Sequence, residues 1–424
     1  MSRTEPPLYS DFVPLLNKLR SVSADGPHSS PLSRLRTVIT VFFALDGFVF
    51  AGWVVRIPAI KEQTGASASA LGLALLGVSA GAVVTMMLTG GLCRRFGSHA
   101  VTVACAVLLP LTVALPPLTH SPLTLGLVLL LFGAAYGGIN VAMNSAAVDL
   151  VAALGRPVMP SFHAAFSLGG MVGSGLGGLV AGHLSPTRHL LAITVIGLVV
   201  TAAAAPALLR HTPPRPAERA RDAEPKVPHV RATAADATRR AGGRTRGLVL
   251  VFGLIALCTA YGEGALADWS ALHLEQDLHA HPGVAAASYS CFAFAMTIGR
   301  LSGTTLLERL GRTRTVVYGG ATGAAGMLLG SLAPSVWLTL IGFAVTGLGL
   351  ANIFPVAVER AGALAGPTGV AAASTLGYGG MLLGPPAIGF MADWFSLPTA
   401  LTSVALLAAV AATIGFTTRH AAAA

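Results

Sequence analysis

The feature that most constrains this chain is a succession of apolar stretches, each long enough to cross a lipid bilayer. A membrane-spanning helix needs roughly 20 predominantly apolar residues. Six such stretches precede residue 210, at 37–57, 69–92, 100–118, 122–147, 161–183 and 189–209. Six more follow residue 246, at 247–271, 285–306, 314–333, 336–357, 370–392 and 397–417. The joining segments are mostly short and carry turn residues, as in Pro116-Pro117, Ser121-Pro122 and Gly366-Pro367. The expected fold class is an all-α integral membrane protein of twelve transmembrane helices in two six-helix bundles.

Charge supports this reading. Only 10% of residues are charged, against ~25% in a soluble domain, so lipid must cover the surface that charge would otherwise solvate. The 50 glycines fit membrane helices, where they let backbones pack closely. The net charge of +10 does not imply nucleic acid, because the basic residues sit in short segments between apolar runs. Cys93, Cys105, Cys258 and Cys291 fall in or beside apolar runs without a CxxC. They read as small apolar residues, with no metal site or cofactor expected. Residues 1–36 are polar and lack an apolar signal core, so the first apolar run is expected to act as an uncleaved insertion signal.

Lys and Arg set the orientation. With the N-terminus inside, the cytoplasmic segments hold Arg3, Lys18, Arg20, Arg34, Arg36, Arg94, Arg95 and Arg156, then ten basic residues from Arg210 to Arg246, then Arg309, Arg312, Arg314, Arg360 and Arg419. The outside holds Arg56, Lys61 and Arg188. Both termini are therefore expected in the cytoplasm, in the plasma membrane. The expected organisation is a tail (1–36), a first bundle (37–209), a linker (210–246), a second bundle (247–418) and a short tail (419–424). The linker is rich in Pro, Ala and Arg and reads as a flexible strap, a topology signal and tether or a contact for anionic headgroups.

The halves repeat each other at an offset of about 210 to 216 residues. Trp53 meets Trp269, and Leu92-Cys93-Arg94-Arg95-Phe96-Gly97 meets Leu306-Leu307-Glu308-Arg309-Leu310-Gly311. Gly137-Gly138-Ile139-Asn140 meets Gly349-Leu350-Ala351-Asn352, and Gly169-Gly170-Met171 meets Gly379-Gly380-Met381. Two such halves enclose a cavity with substrate near the midplane.

This arrangement resembles the major facilitator superfamily, whose loop pattern is Gly-x-Leu-Ala-Asp-Arg-x-Gly-Arg-Lys. Here the run from Gly90 to His99 keeps the glycines (Gly90 and Gly97), Leu92 and Arg95, but has Arg94 where the family has Asp. The resemblance implies a charge-paired latch between halves, which this replacement removes from the first half. The second copy keeps Glu308 beside Arg309, Gly311 and Arg312. The runs Arg56-Ile57-Pro58-Ala59-Ile60, Ser161-Phe162-His163 to Ser167-Leu168-Gly169-Gly170, and Asp268-Trp269-Ser270 look like the rhizopine-transporter-like branch.

In helix five, Gly169, Gly173, Ser174, Gly177 and Gly178 resemble the family's antiporter motif, with Ser174 in place of Pro. Helix eleven has Gly380, Gly384 and Pro385. The motif implies proton-driven export; tight helix packing is the alternative.

Charged residues inside a span are functional candidates. Asp46, near the middle of helix one, is the first proton-coupling candidate, since low dielectric favours a protonated carboxyl; Glu263 in helix seven is the second. In the fucose-permease relatives an acid on the first helix plays a similar part. The alternative for Asp46 is a structural hydrogen bond. Arg56 with Asp268 or Glu263 would close an outer gate, and Arg300 with Asp149 or Glu359 an inner one, unless interfacial solvation accounts for them. Asn140, Asn144 and Asn352 either face a polar substrate or link helices. His163 is expected to contact a loop at the start of helix five.

The expected function is proton-coupled secondary transport of a small molecule by alternating access. Export of a drug-like or secondary metabolite is the first reading; uptake of a sugar, polyol or aminocyclitol is the second. The few intramembrane aromatics argue against a large planar ligand. One charge moved across the membrane is worth ~2.3 kcal/mol per 100 mV. No P-loop is present to use ATP, and no HExxH suggests a membrane enzyme. A transport-dead sensor would be expected to add a signalling domain. The partners expected are the solute, protons and lipid, with the chain a monomer.

Overall fold

The computed structural model describes residues 31–66, 68–181, 183–210, 234–281, 284–285 and 288–419. Arg3, Lys18, Arg20, linker residues 211–233 and the final residues from 420 lie outside the described residues.

Twelve crossings are present among the described residues. The first six are Pro31–Val54, Ala68–Phe96, Ser98–Val113, Pro122–Leu154, Met159–Ala181 and Pro186–Arg210. The seventh lies in Ala234–Leu272, the eighth is Ser288–Leu310 and the ninth Arg312–Leu332. The tenth runs through Val336–Leu350 into Ile353–Trp394, which departs from helix at Ala365 and Gly366; the eleventh follows that break. The twelfth is Leu397–Thr417. A short helix, Ile57–Thr64, caps the end of span one. Nine stretches are apolar enough to cross a membrane on length and composition, Val336–Trp394 covering two crossings. Spans five and eight complete the twelve.

Two boundaries differ from the sequence expectation. Span one begins at Pro31, six residues before residue 37. The seventh helix begins at Ala234, well inside the segment read as a strap. Alanine and arginine are among the best helix formers, so this stretch extends the helix out of the membrane.

Local signals place the ends. Ser121, Ser335 and Ser396 cap spans four, ten and twelve, each accepting a hydrogen bond from the N–H three residues on. Gly97 and Gly311, at φ 85° and 77°, turn the chain tightly into spans three and nine. Both are loop-motif glycines, and a side chain would be strained at that φ.

The same crossings recur in both halves. A Cβ on Gly169 would lie 2.0 Å from the Ala44 carbonyl, and one on Gly173 would lie 2.4 Å from that of Phe48. Gly380 and Gly384 hold the matching places against the Leu257 and Tyr261 carbonyls, at 2.3 and 3.0 Å. Span five thus crosses span one as span eleven crosses span seven. These partners align the first and seventh spans at an offset of 213 residues. The Trp53–Trp269 match, at 216, is three residues out of that register. Gly177 reaches Val55 and His189, whereas Gly178 meets nothing within 4 Å. The run Gly77-Val78-Ser79-Ala80-Gly81 has nucleophile-elbow spacing. It lies within span two, however, with both glycines pressed on the Gly126 and Leu130 carbonyls of span four.

Between the halves, span five packs on span eight, and span two on span eleven.

Candidate functional site

The end of the bundle that carries the loop motifs is drawn together across the halves. Arg94 donates to the Thr368 hydroxyl at the break between spans ten and eleven. Gly90 sits where a Cβ would lie 3.0 Å from the Pro367 carbonyl. Arg156, after span four, pairs with Glu308 at 2.7 Å. The cation at position 94 therefore meets a neutral acceptor in place of the family's acid-based latch. The acid of the second copy supplies the charged contact between halves. Arg95 lies over the Phe96 ring.

Beside this closure each half ties an acid of its even span to the start of the odd span before it. Glu359 accepts from Arg312 at 2.6 and 2.9 Å, and Asp149 accepts from the Ser98 hydroxyl at 3.4 Å. Arg300 is not paired with Glu359 at an inner gate as the sequence suggested. It lies deeper, midway along span eight, with its Nη2 donating to both Glu263 oxygens at 3.1 and 3.3 Å. Its Nη1 donates across to Ser167 of span five at 2.9 Å, and its Nε faces the Ala351 carbonyl at 3.4 Å. One guanidinium thus joins spans five, seven, eight and ten. A buried pair of this kind needs extra hydrogen bonds to offset its desolvation, and Ser167 supplies one.

Arg56, expected at an outer gate, is held here by span six and the end of span five. Its Nε donates to His189 Nδ1 at 2.7 Å, and its Nη2 lies 3.4 Å from the Val180 carbonyl, both in the first half. Asp268 is exposed near the far end of span seven.

Asp46 is fully buried in span one, and neither carboxyl oxygen has a hydrogen-bond partner among the described residues. Tyr136 of span four and Tyr378 of span eleven lie within electrostatic reach of both Asp46 and Glu263. Their rings meet edge to face across the halves, centroids 6.0 Å apart. Phe50 stacks on Tyr136 at 4.7 Å, with Phe132 and Trp53 behind. Five aromatic rings thus gather at one place between the halves. His163 is buried and packs edge-on against Phe43 and Phe354, 5.4 and 5.8 Å away, instead of meeting a loop.

The asparagines divide. Asn352 donates to the Gly299 carbonyl at 2.9 Å and fills the space over Gly303, which links spans ten and eight. Asn144 donates to the Asn140 carbonyl of its own helix. The side-chain oxygens of Asn140, Asn144 and Asn352 are all buried without partners among the described residues.

Sequence reading missed Ser167, Tyr136, Tyr378 and His189. The tyrosines carried the better signal, as two of only six in the chain, each inside an apolar run.

Residues 37–267 and 252–423 match the sequence profile of the Major Facilitator Superfamily. An uncharacterised MFS-type transporter of Yersinia pestis is 34% identical over 369 residues, covering 86% of this chain and 91% of its own. The membrane protein MosC of Rhizobium meliloti is 29% identical over 417 residues, with 97% and 96% covered. Among solved structures, FucP in its outward conformation has a TM-score of 0.70 at 17% identity, covering 90% of this chain and 97% of its own. The proton:xylose symporter XylE has a TM-score of 0.70 at 13% identity, covering 92% and 96%. With both halves matched by the family profile and the two-bundle fold shared with solved members, this multi-pass membrane chain belongs to the Major Facilitator Superfamily of secondary transporters.

Proposed function

We propose that this transporter couples proton movement to the passage of a small polar solute, with Asp46 as the group that takes up and releases the proton. The observation that carries the reading is the buried Asp46 carboxyl with no partner among the described residues. An ionised carboxylate in that position is expensive, so the pocket holds the neutral acid. Releasing the proton requires water or a cation, which a rearrangement of the halves would deliver. Glu263 is held by Arg300 and serves as the second charged element, not the first carrier.

The solute site lies between Asp46, Tyr136, Tyr378, Glu263, Arg300 and Ser167. Hydroxyls, a carboxylate and a guanidinium beside aromatic faces suit a compact hydroxylated or aminated ring better than an extended apolar drug. Solved neighbours with this fold are described as a fucose:proton symporter and a proton:xylose symporter, which supports uptake. The closed end carries the basic loops, so it is assigned to the cytoplasm of the plasma membrane. The solute path then opens outward.

A second reading is proton-driven export, favoured by the likeness of span five to the antiporter motif. Gly169 and Gly173 form the contact with span one, and Gly380 and Gly384 the matching contact in the other half, which supports a packing role for both copies. Everted membrane vesicles under an imposed proton gradient separate the two. Sugars, polyols, aminocyclitols and antimicrobials are screened in both polarities. Movement with the proton supports uptake, and movement against it supports export.

A further inference from the structure

Outside the transport site, two adjoining cavities of about 210 and 550 Å³ open at the loop-motif end of the second half. They share Arg312, Thr313 and Arg419 as a common wall. Arg360 lines the smaller cavity and Arg314 the larger. Four guanidinium groups therefore converge from spans nine, ten and twelve. Among the described residues, Glu359 is bound to Arg312 beside them. Apart from Thr313 and Thr418, the remaining lining is mostly apolar. Phe252, Ile255 and Val316 floor the smaller cavity, while Val317, Tyr318 and Phe416 flank the larger. Tyr318 and Phe416 are more than half exposed, facing out of the bundle. Arg360 lies over the Phe252 ring at 5.7 Å and Arg419 over Phe416 at 3.9 Å, so aromatic faces hold both guanidiniums in place.

We propose that this pocket binds the headgroup of an anionic phospholipid, with the acyl chains running along Tyr318 and Phe416. Charge decides the class of ligand. Arginines present paired donors that match phosphate oxygens, and a lining with four of them favours an anion. Geometry decides the source. The pocket sits at the ends of the spans, at headgroup depth, and its apolar flank opens sideways toward lipid. Basic pockets between membrane helices on the cytoplasmic side have this chemistry. A bound headgroup would bridge span twelve to spans nine and ten, bracing the second half while the first moves against it.

The test uses the full-length protein in mild detergent, titrated with phosphatidylglycerol or phosphatidylcholine of matched chains and read by native mass spectrometry. Phosphatidylglycerol should be retained in preference to phosphatidylcholine. Retention should fall roughly fivefold for each arginine removed in Arg360→Gln and Arg419→Gln. Thr418→Glu, which adds a carboxylate to the lining without removing any packing partner of Glu359, should also weaken it. Arg188→Gln, on the opposite face, should not. Equal retention of the two lipids, or undiminished retention in both pocket variants, would overturn the proposal. Inorganic phosphate alone raising the thermal midpoint as far as phosphatidylglycerol does would also overturn it, by making this a free-anion site.

Discussion

Arg300 holds Glu263 through two hydrogen bonds of 3.1 and 3.3 Å while the same guanidinium reaches Ser167 of the opposite half. An ion pair inside one half is thereby tied to the interface that must break when the halves rock.

Removing one member of this pair leaves the other charged in a low-dielectric site. Arg300→Gln should therefore lower stability by about 3 kcal/mol. The double variant Arg300→Gln/Glu263→Gln should recover most of that loss while remaining inactive in transport. Thermal unfolding in detergent, alongside solute uptake into proteoliposomes, checks both parts. Equal destabilisation in single and double variants would show that packing, not charge pairing, holds the site.

Ser167→Ala keeps the pair but deletes the contact between halves. It should leave the thermal midpoint nearly unchanged, since one hydrogen bond is worth about 1 kcal/mol. Its effect should fall on the rate of opening, with faster exchange of solute across proteoliposomes than in the parent.

The glycine positions give a prediction with an internal control. A Cβ at Gly169 would sit 2.0 Å from a backbone oxygen, a clash that neither helix can relieve without separating. Gly169→Leu should abolish folded protein, by more than the 1–3 kcal/mol typical of overpacking. Gly178→Leu, in the same motif but with nothing within 4 Å, should accumulate normally. Size-exclusion profiles of the two variants decide this.

At the loop-motif end, Arg156 and Glu308 are 58% and 37% exposed, so their pair contributes at most about 1 kcal/mol to the closed state. Glu308→Gln should shift the open-to-closed ratio about fivefold or less, and high salt should mimic it. Spin labels at Ala100 and Arg309, in a background without the native cysteines, report the distance distribution. An unchanged distribution would place the closure in the Gly90 and Thr368 contacts alone.

The twelve crossings and the repeat were legible because hydropathy and loop glycines are properties of the sequence itself. Gly97 and Gly311 announced their turns at the same point in each half, and Gly169 and Gly380 announced matching crossings. Arg300 and Glu263 were each visible as charges in apolar runs. Their pairing was not, because it depends on how spans seven and eight are rotated about their axes. The contact of Arg56 with His189 on span six was hidden for the same reason. The aromatic cluster was hidden for the opposite reason: composition counts rings but does not say that Phe50, Phe132, Tyr136 and Tyr378 converge.

The most direct test of proton coupling through Asp46 compares the parent with Asp46→Asn in proteoliposomes, using a solute identified by the vesicle screen. Uptake driven by an imposed proton gradient and exchange of internal for external solute are measured side by side. Gradient-driven uptake should vanish in the variant while solute exchange persists, because the site still binds and rocks but has no proton to carry. Gradient-driven uptake at the parent's rate in Asp46→Asn would contradict the account, and proton coupling would then have to rest on Glu263 or on no carboxyl at all.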